Sequence, residues 1–163
     1  MSEIAGCATW PNTKTEYQSF DTQTERREQM SLDKALQTAM NGIPECLASG
    51  YVDMETGMVL GVHTVDSHPQ EVLDTLAAAT ADLFQGSSVV YIENLFKKSR
   101  GTEKDESHYF QEMFIFSDNL LHVFLRTKKY PNHVVCFVCR KNANPGMVLT
   151  KSRMALEPVS AAV

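Results

Sequence analysis

The sequence lacks the motifs by which most nucleotide and acyl-transfer sites announce themselves. It has no G-x-x-x-x-G-K-[ST] loop and no G-x-G-x-x-G between a strand and a helix, which removes the two common phosphate cradles. It also has no G-x-S-x-G elbow to expose a serine nucleophile, and no H-E-x-x-H pair to hold zinc. Apolar runs fall far short of the roughly 18 residues that cross a bilayer, and the start from Met1 to Gly6 is not a basic-then-apolar secretory pattern. The expectation is a cytoplasmic chain with no membrane partner. Cysteine is sparse: four residues, at 7, 46, 136 and 139, are too scattered to frame a chain of 163 residues with disulfides. Reduced thiols are expected.

What is present is ordinary for one domain. With 43% hydrophobic residues, a chain of this length buries a core without staples. The net charge of −5 is unevenly spread, because no Asp or Glu occurs from Asn119 through Leu156 while that stretch carries Arg126, Lys128, Lys129, Arg140, Lys141, Lys151 and Arg153. It is therefore +7, and the remainder −12. A surface for an acidic partner is one reading of this split, and a solvated rim is the favoured one. The basic residues sit in separate segments rather than one stripe, so no nucleic-acid partner is expected.

Residues 1–30 show no sustained period and read as a leader, with Trp10, Tyr17 and Phe20 able to dock and a short helix an option from Thr22 to Met30. Ser31 is an N-cap for a helix from Leu32 to Asn41, which Gly42 stops. Cys46–Val52 and Met58–His63 flank the turn Asp53–Gly57 and form a hairpin. Val72, Leu73, Leu76, Thr80, Leu83 and Phe84 mark one face of a second helix that starts with Pro69. Gly86 interrupts it, and the period resumes as a kinked continuation or a separate short helix before a loop from Ser99 to Ser107.

Strands Tyr109–Ser117 and Leu120–Thr127 meet at Asp118-Asn119, whose two-residue turn sets the register: Phe116 opposes Leu121, Ile115 opposes His122, Phe114 opposes Val123 and Met113 opposes Phe124. Both faces are apolar, as they are in His133–Cys139, so the sheet is expected to be covered on both sides with His133–Cys139 in its middle. Asn144 caps a last helix opening on Pro145, and Pro158 is expected to end it. The domain then spans 31–158, with 159–163 as a tail. The order is helix, two strands, helix or helices, three strands, helix, an α/β (α+β) chain whose sheet is covered by helices or by another subunit.

Residues that could carry chemistry are few. Cys136-Phe137-Val138-Cys139 has the C-x-x-C spacing of redox and zinc sites, but on a strand a separation of three sends the two thiols to opposite faces. Buried core cysteines are the favoured reading. The histidines at 63, 68, 108, 122 and 133 contain no pair at helical ligand spacing, and His122, between Leu121 and Val123, is the one most in need of a partner. Glu112 stands without a second carboxylate beside it. No catalytic residue, metal or cofactor is expected.

Taken in order, residues 31–157 resemble the roadblock/dynein light chain family, a profilin-like fold, in its bacterial form. The resemblance lies in the helix ending at Gly42-Ile43-Pro44, the hairpin with Val52-Asp53 and Thr56-Gly57-Met58-Val59, the Ala-rich second helix, and Asn144-Pro145-Gly146-Met147-Val148-Leu149. It implies a five-stranded antiparallel sheet with helices on both faces, one on one face and two on the other. It also implies a homodimer that pairs the middle strand and packs the second helices together. Carried onto this chain, those are Tyr109–Phe116 and Pro69–Phe84, with Tyr109, Gln111, Met113, Ile115, Leu73, Leu76 and Thr80 at the interface. The resemblance further implies a non-enzymatic adaptor or regulator, with a small Ras-like GTPase or another signalling protein as partner. The alternative is a small-molecule-sensing domain of the same type, with an apolar cavity holding a few polar groups such as His122.

Overall fold

Ser31 opens the first helix as its cap. In the computed structural model, which describes residues 31–66, 70–102 and 107–163, the Lys34 amide donates to Ser31 Oγ at 3.4 Å and α1 runs Leu32–Gly42. The leader, with Cys7, Trp10, Tyr17 and Phe20, lies outside the described residues, as do His68 and Pro69. Strands β1 (Cys46–Asp53) and β2 (Met58–Thr64) form the hairpin. Its turn is closed by Asp53, whose carboxylate accepts the Glu55 amide at 2.9 Å and the Thr56 hydroxyl at 2.7 Å, and by Gly57 at φ 70°. Then come α2 (Gln70–Gln85), α3 (Ser87–Arg100), β3 (Glu112–Phe116), β4 (Leu120–Arg126), β5 (His133–Arg140) and α4 (Pro145–Ala161).

The sheet order is β2-β1-β5-β4-β3, antiparallel throughout, so β5 is central as its two apolar faces predict. The β3–β4 register also agrees with the turn-based expectation at all four pairs, from Phe116 against Leu121 to Met113 against Phe124. Alternation along each strand splits the core in two. Leu121, Val123 and Leu125 of β4 and Val135, Phe137 and Cys139 of β5 pack with Leu36 of α1 and Val148 and Val159 of α4. On the other face Phe124, Val134 and Cys136 pack with Ala77 and Phe84 of α2.

Three expectations are corrected. First, the stretch after Gly86 is a full 14-residue helix, not a short one, and it extends through Arg100 to an αL stop at Gly101 (φ 67°). A Cβ on Gly86 would lie 2.5 Å from the Asp82 carbonyl oxygen, so the glycine lets the chain bend sharply between α2 and α3. The chain thus has one helix more than the resemblance implies, and α3 meets α2 without contributing to the core of the second face. Second, the strand expected from Tyr109 begins at Glu112, because the Tyr109 amide donates to the Glu93 carboxylate on α3 at 2.5 Å instead of to a neighbouring strand. Third, Pro158 does not end α4: the helix continues to Ala161, and Val159, assigned to the tail, is buried in the first core. An exposed proline forgoes one backbone bond, and burial of Val159 and Val148 on the core-facing side of the helix outweighs that loss.

Candidate interaction surface

Strand β3 ends the sheet and pairs with β4 alone among the described strands. Two bonds frame the ladder: the Arg126 amide donates to the Gln111 carbonyl at 2.8 Å, and the Ser117 amide to the Leu120 carbonyl at 2.9 Å. Antiparallel geometry then makes Glu112–Leu125 and Phe116–Leu121 the non-hydrogen-bonded pairs, with Met113 and Ile115 turning their backbone groups toward β4. Glu112, Phe114 and Phe116 therefore offer their N–H and C=O groups to the open edge. Such an edge is a ready template for another strand.

Beside that edge lies an apolar groove of about 410 Å³ between α2 and the sheet, lined by Val72, Leu73, Leu76 and Thr80 above and by Leu120, His122, Cys136 and Val138 below. Ile115 sits across from His122 and carries the same face out to the edge, 36% exposed, with Phe116 beside it at 54%. Val72 and Leu76 are exposed as well. The hydroxyls in the lining are already used, since Thr80 donates to the Leu76 carbonyl at 2.8 Å and Ser49 to the Leu36 carbonyl at 3.0 Å. His122 stacks on Phe124 with centroids 6.4 Å apart, and burial pushes its pKa below the ordinary histidine range, which leaves the ring neutral at pH 7. The groove asks for apolar contact.

Of the seven residues placed at an interface from sequence, Leu73, Leu76 and Thr80 line this groove, although Thr80 itself is buried within one chain, and Ile115 lies outside it on the neighbouring edge strand. Met113 is half-buried and packs inward on the second core. Gln111 precedes β3 and uses its carbonyl toward β4, and Tyr109 stacks on Phe96 of α3 with centroids 5.1 Å apart. The sequence reading placed Phe116 in the pairing strand and Val72 on the helix face but neither among the interface residues, and it counted Arg126 only in the basic stretch. That arginine, 4% exposed, donates to the carbonyls of Phe110 at 3.1 Å, Pro131 at 2.5 Å and Phe84 at 3.3 Å. Burial pushes its pKa down and the nearby Glu93 carboxylate opposes that fall.

The basic stretch is partly consumed by the fold. Arg126 is internal, Arg153 grips Glu112 from α4 at 2.5–3.1 Å, and Arg140 lies 3.5 Å from Glu45. The C-x-x-C cysteines face opposite layers as their strand placement requires, Cys139 in the first core and Cys136 in the second. Among the described residues no cluster of three His, Cys, Asp or Glu could hold a metal ion, and no helix is long and apolar enough to cross a membrane.

No family model matches the sequence, and no curated protein matches it. Solved structures do. A Roadblock/LC7 domain from Streptomyces avermitilis superposes with a TM-score of 0.56 at 14% identity, over 80% of this chain and 95% of that one. The gliding protein MglB from Thermus thermophilus gives 0.57 at 17%, over 79% and 85%. An MglB with a tetrameric arrangement gives 0.56 at 19%, over 79% and 85%. At such identities the likeness speaks for the fold, and the fold is that of Roadblock/LC7 domains, as the resemblance implied.

Proposed function

We propose that this chain is a homodimeric adaptor or regulator without catalytic activity of its own, and that its partner is a small Ras-like GTPase or another signalling protein. The observation that carries the reading is the open edge of β3 lying next to the apolar groove under α2. A second copy laid antiparallel along β3 would take up the outward backbone groups of Glu112, Phe114 and Phe116 and join two sheets into one. Its own α2 would cover Val72 and Leu76, removing apolar surface from water at about 25 cal/mol per Å². A two-fold axis suits this contact, since the same patch serves both copies. The similar solved structures include a gliding protein and a tetrameric arrangement of MglB, which supports self-association and a regulatory setting.

The alternative, a small-molecule sensor, draws on the same groove. Its polar lining is largely satisfied from within, by Thr80 on Leu76 and Ser49 on Leu36, which favours a protein's side chains over a polar metabolite. Light scattering after size-exclusion chromatography tests the dimer: a mass twice that of the chain is expected, and a strict monomer at high micromolar concentration would overturn it. For the partner, a small GTPase encoded beside this gene should bind the purified protein or change its hydrolysis rate on adding it. No binding and no rate change in either nucleotide state would overturn that half.

A further inference from the structure

Cys46 and Cys139 are partners across the β1–β5 ladder. The Arg140 amide donates to the Glu45 carbonyl at 2.9 Å. In an antiparallel ladder a bond between the residues flanking a pair marks that pair as the close, non-hydrogen-bonded kind, with Cα atoms about 4.5 Å apart where the ladder is regular, and here the register shifts just after the pair, between Cys46 and Ala48. That spacing lies within the roughly 4.4–6.8 Å that a disulfide spans. Both side chains lie on the first-core face, where Cys46 packs against the cluster that holds Cys139 and its Sγ donates to the Ala48 carbonyl at 3.2 Å.

The surroundings divide the two roles. Cys46 is partly exposed, while Cys139 is wholly buried in the first core. Glu45 holds φ 54°, a positive angle in a residue other than glycine, and its carboxylate pairs with Arg140. A backbone bond and an ion pair therefore join the residue before Cys46 to the residue after Cys139. Cys136 does not compete, since it faces the opposite core and burial pushes its thiol up to about 12.

We propose that Cys46 and Cys139 form a reversible dithiol–disulfide site, with Cys46 the attacking sulfur, Cys139 the resolving one and hydrogen peroxide the class of oxidant. The Cys46 thiolate attacks a peroxide oxygen, the O–O bond breaks, the departing oxygen takes up a proton to leave as water, and Cys46 becomes a sulfenic acid. Cys139 gives up its proton and displaces that hydroxyl as a second water, forming the S–S bond. Two thiols thus lose two hydrogens to one peroxide, and a dithiol returns them by exchange. The Cys139 thiol beside it holds the Cys46 thiol below its ordinary range against the opposing effect of burial, which favours the reactive thiolate. Oxidation would tie the entry to β1, just after α1, to the exit of β5, just before α4. The pair lies on the face opposite the groove under α2, so its test does not depend on the dimer.

The test uses the full chain carrying Cys7→Ser, treated with a slight excess of hydrogen peroxide and mapped as non-reduced peptides by mass spectrometry. The expected result is a Cys46–Cys139 linked peptide, free Cys136, reversal by dithiothreitol, and a higher Tm for the oxidised form. With Cys139→Ser added, dimedone should trap a sulfenic acid at Cys46 and no link should form. Since the mapped pair is intact, a misfolded variant cannot mimic a failure. Free thiols at both positions after oxidation, a link involving Cys136, or Cys46 driven to sulfinic acid with Cys139 untouched would each overturn the proposal.

Discussion

The Arg126 guanidinium donates to the Phe84 carbonyl at 3.3 Å and lies 5.2 Å over the ring of the same residue. One side chain thereby closes the end of α2 onto β4, and two further bonds, to Phe110 and Pro131, hold the segments on either side. Arg126→Ala would strand three carbonyls and remove the cation near Glu93, so a loss of about 3 kcal/mol is expected in urea unfolding. Arg126→Lys should recover only part of it, because an ammonium does not reproduce the planar fork. A loss below about 1 kcal/mol for the alanine would show that water replaces these bonds.

The open edge makes a positional prediction. Phe116→Pro deletes an amide that points away from β4, on a residue whose side chain is 54% exposed, and should weaken dimerisation about tenfold or more while leaving the monomer folded. Gln111→Pro keeps the carbonyl that accepts from Arg126 but deletes the side-chain bond to the His108 carbonyl at 2.6 Å at the approach to β3, so it should lower Tm instead. Sedimentation equilibrium read beside thermal melts separates the two, and equal dimer constants for wild type and Phe116→Pro would place the contact elsewhere.

Acid should loosen the β1–β2 turn. Burial pushes Asp53 up, but the Thr56 hydroxyl, the Glu55 and Thr56 amides and His133 together hold it below its ordinary 3.8. A carboxylate with a lowered folded pKa contributes stability that is present above 3.8 and lost as pH falls through the folded value. Urea midpoints measured from pH 6 down to about pH 2 should fall less steeply for Asp53→Asn than for the wild type. Parallel profiles would remove Asp53 as a contributor.

Two glycines should respond with opposite signs. A Cβ at Gly86 meets the Asp82 backbone oxygen at 2.5 Å, so Gly86→Ala should cost about 1–3 kcal/mol. A Cβ at Gly42, in the last turn of α1, meets nothing within 4 Å, and Gly42→Ala should stabilise by about 0.5–1 kcal/mol. Chemical denaturation reads both, and a destabilising Gly42→Ala would point to a contact with a second copy at that helix end.

Local chemistry and periodicity determined the element order, the β3–β4 register and the central place of β5. Ser31 and Asn144 cap by short-range bonds, Asp118-Asn119 admits one tight turn, and a strand such as His133–Cys139 that is apolar on both faces has to be covered on both. Alternation likewise sent Cys136 and Cys139 to opposite cores.

Only the tertiary structure decided what depends on distant partners. Tyr109 left the strand because Glu93, sixteen residues earlier, takes its amide, and α4 ran past Pro158 because Val159 fills the first core. Arg126 read as surface charge and became an internal clamp, since three carbonyls from three segments converge on it. Cys46 stands 93 positions before Cys139, and the β1–β5 register is what set the two opposite each other. Sequence spacing reports neighbours along one element, whereas pairing between elements follows from which faces the whole chain can bury at once.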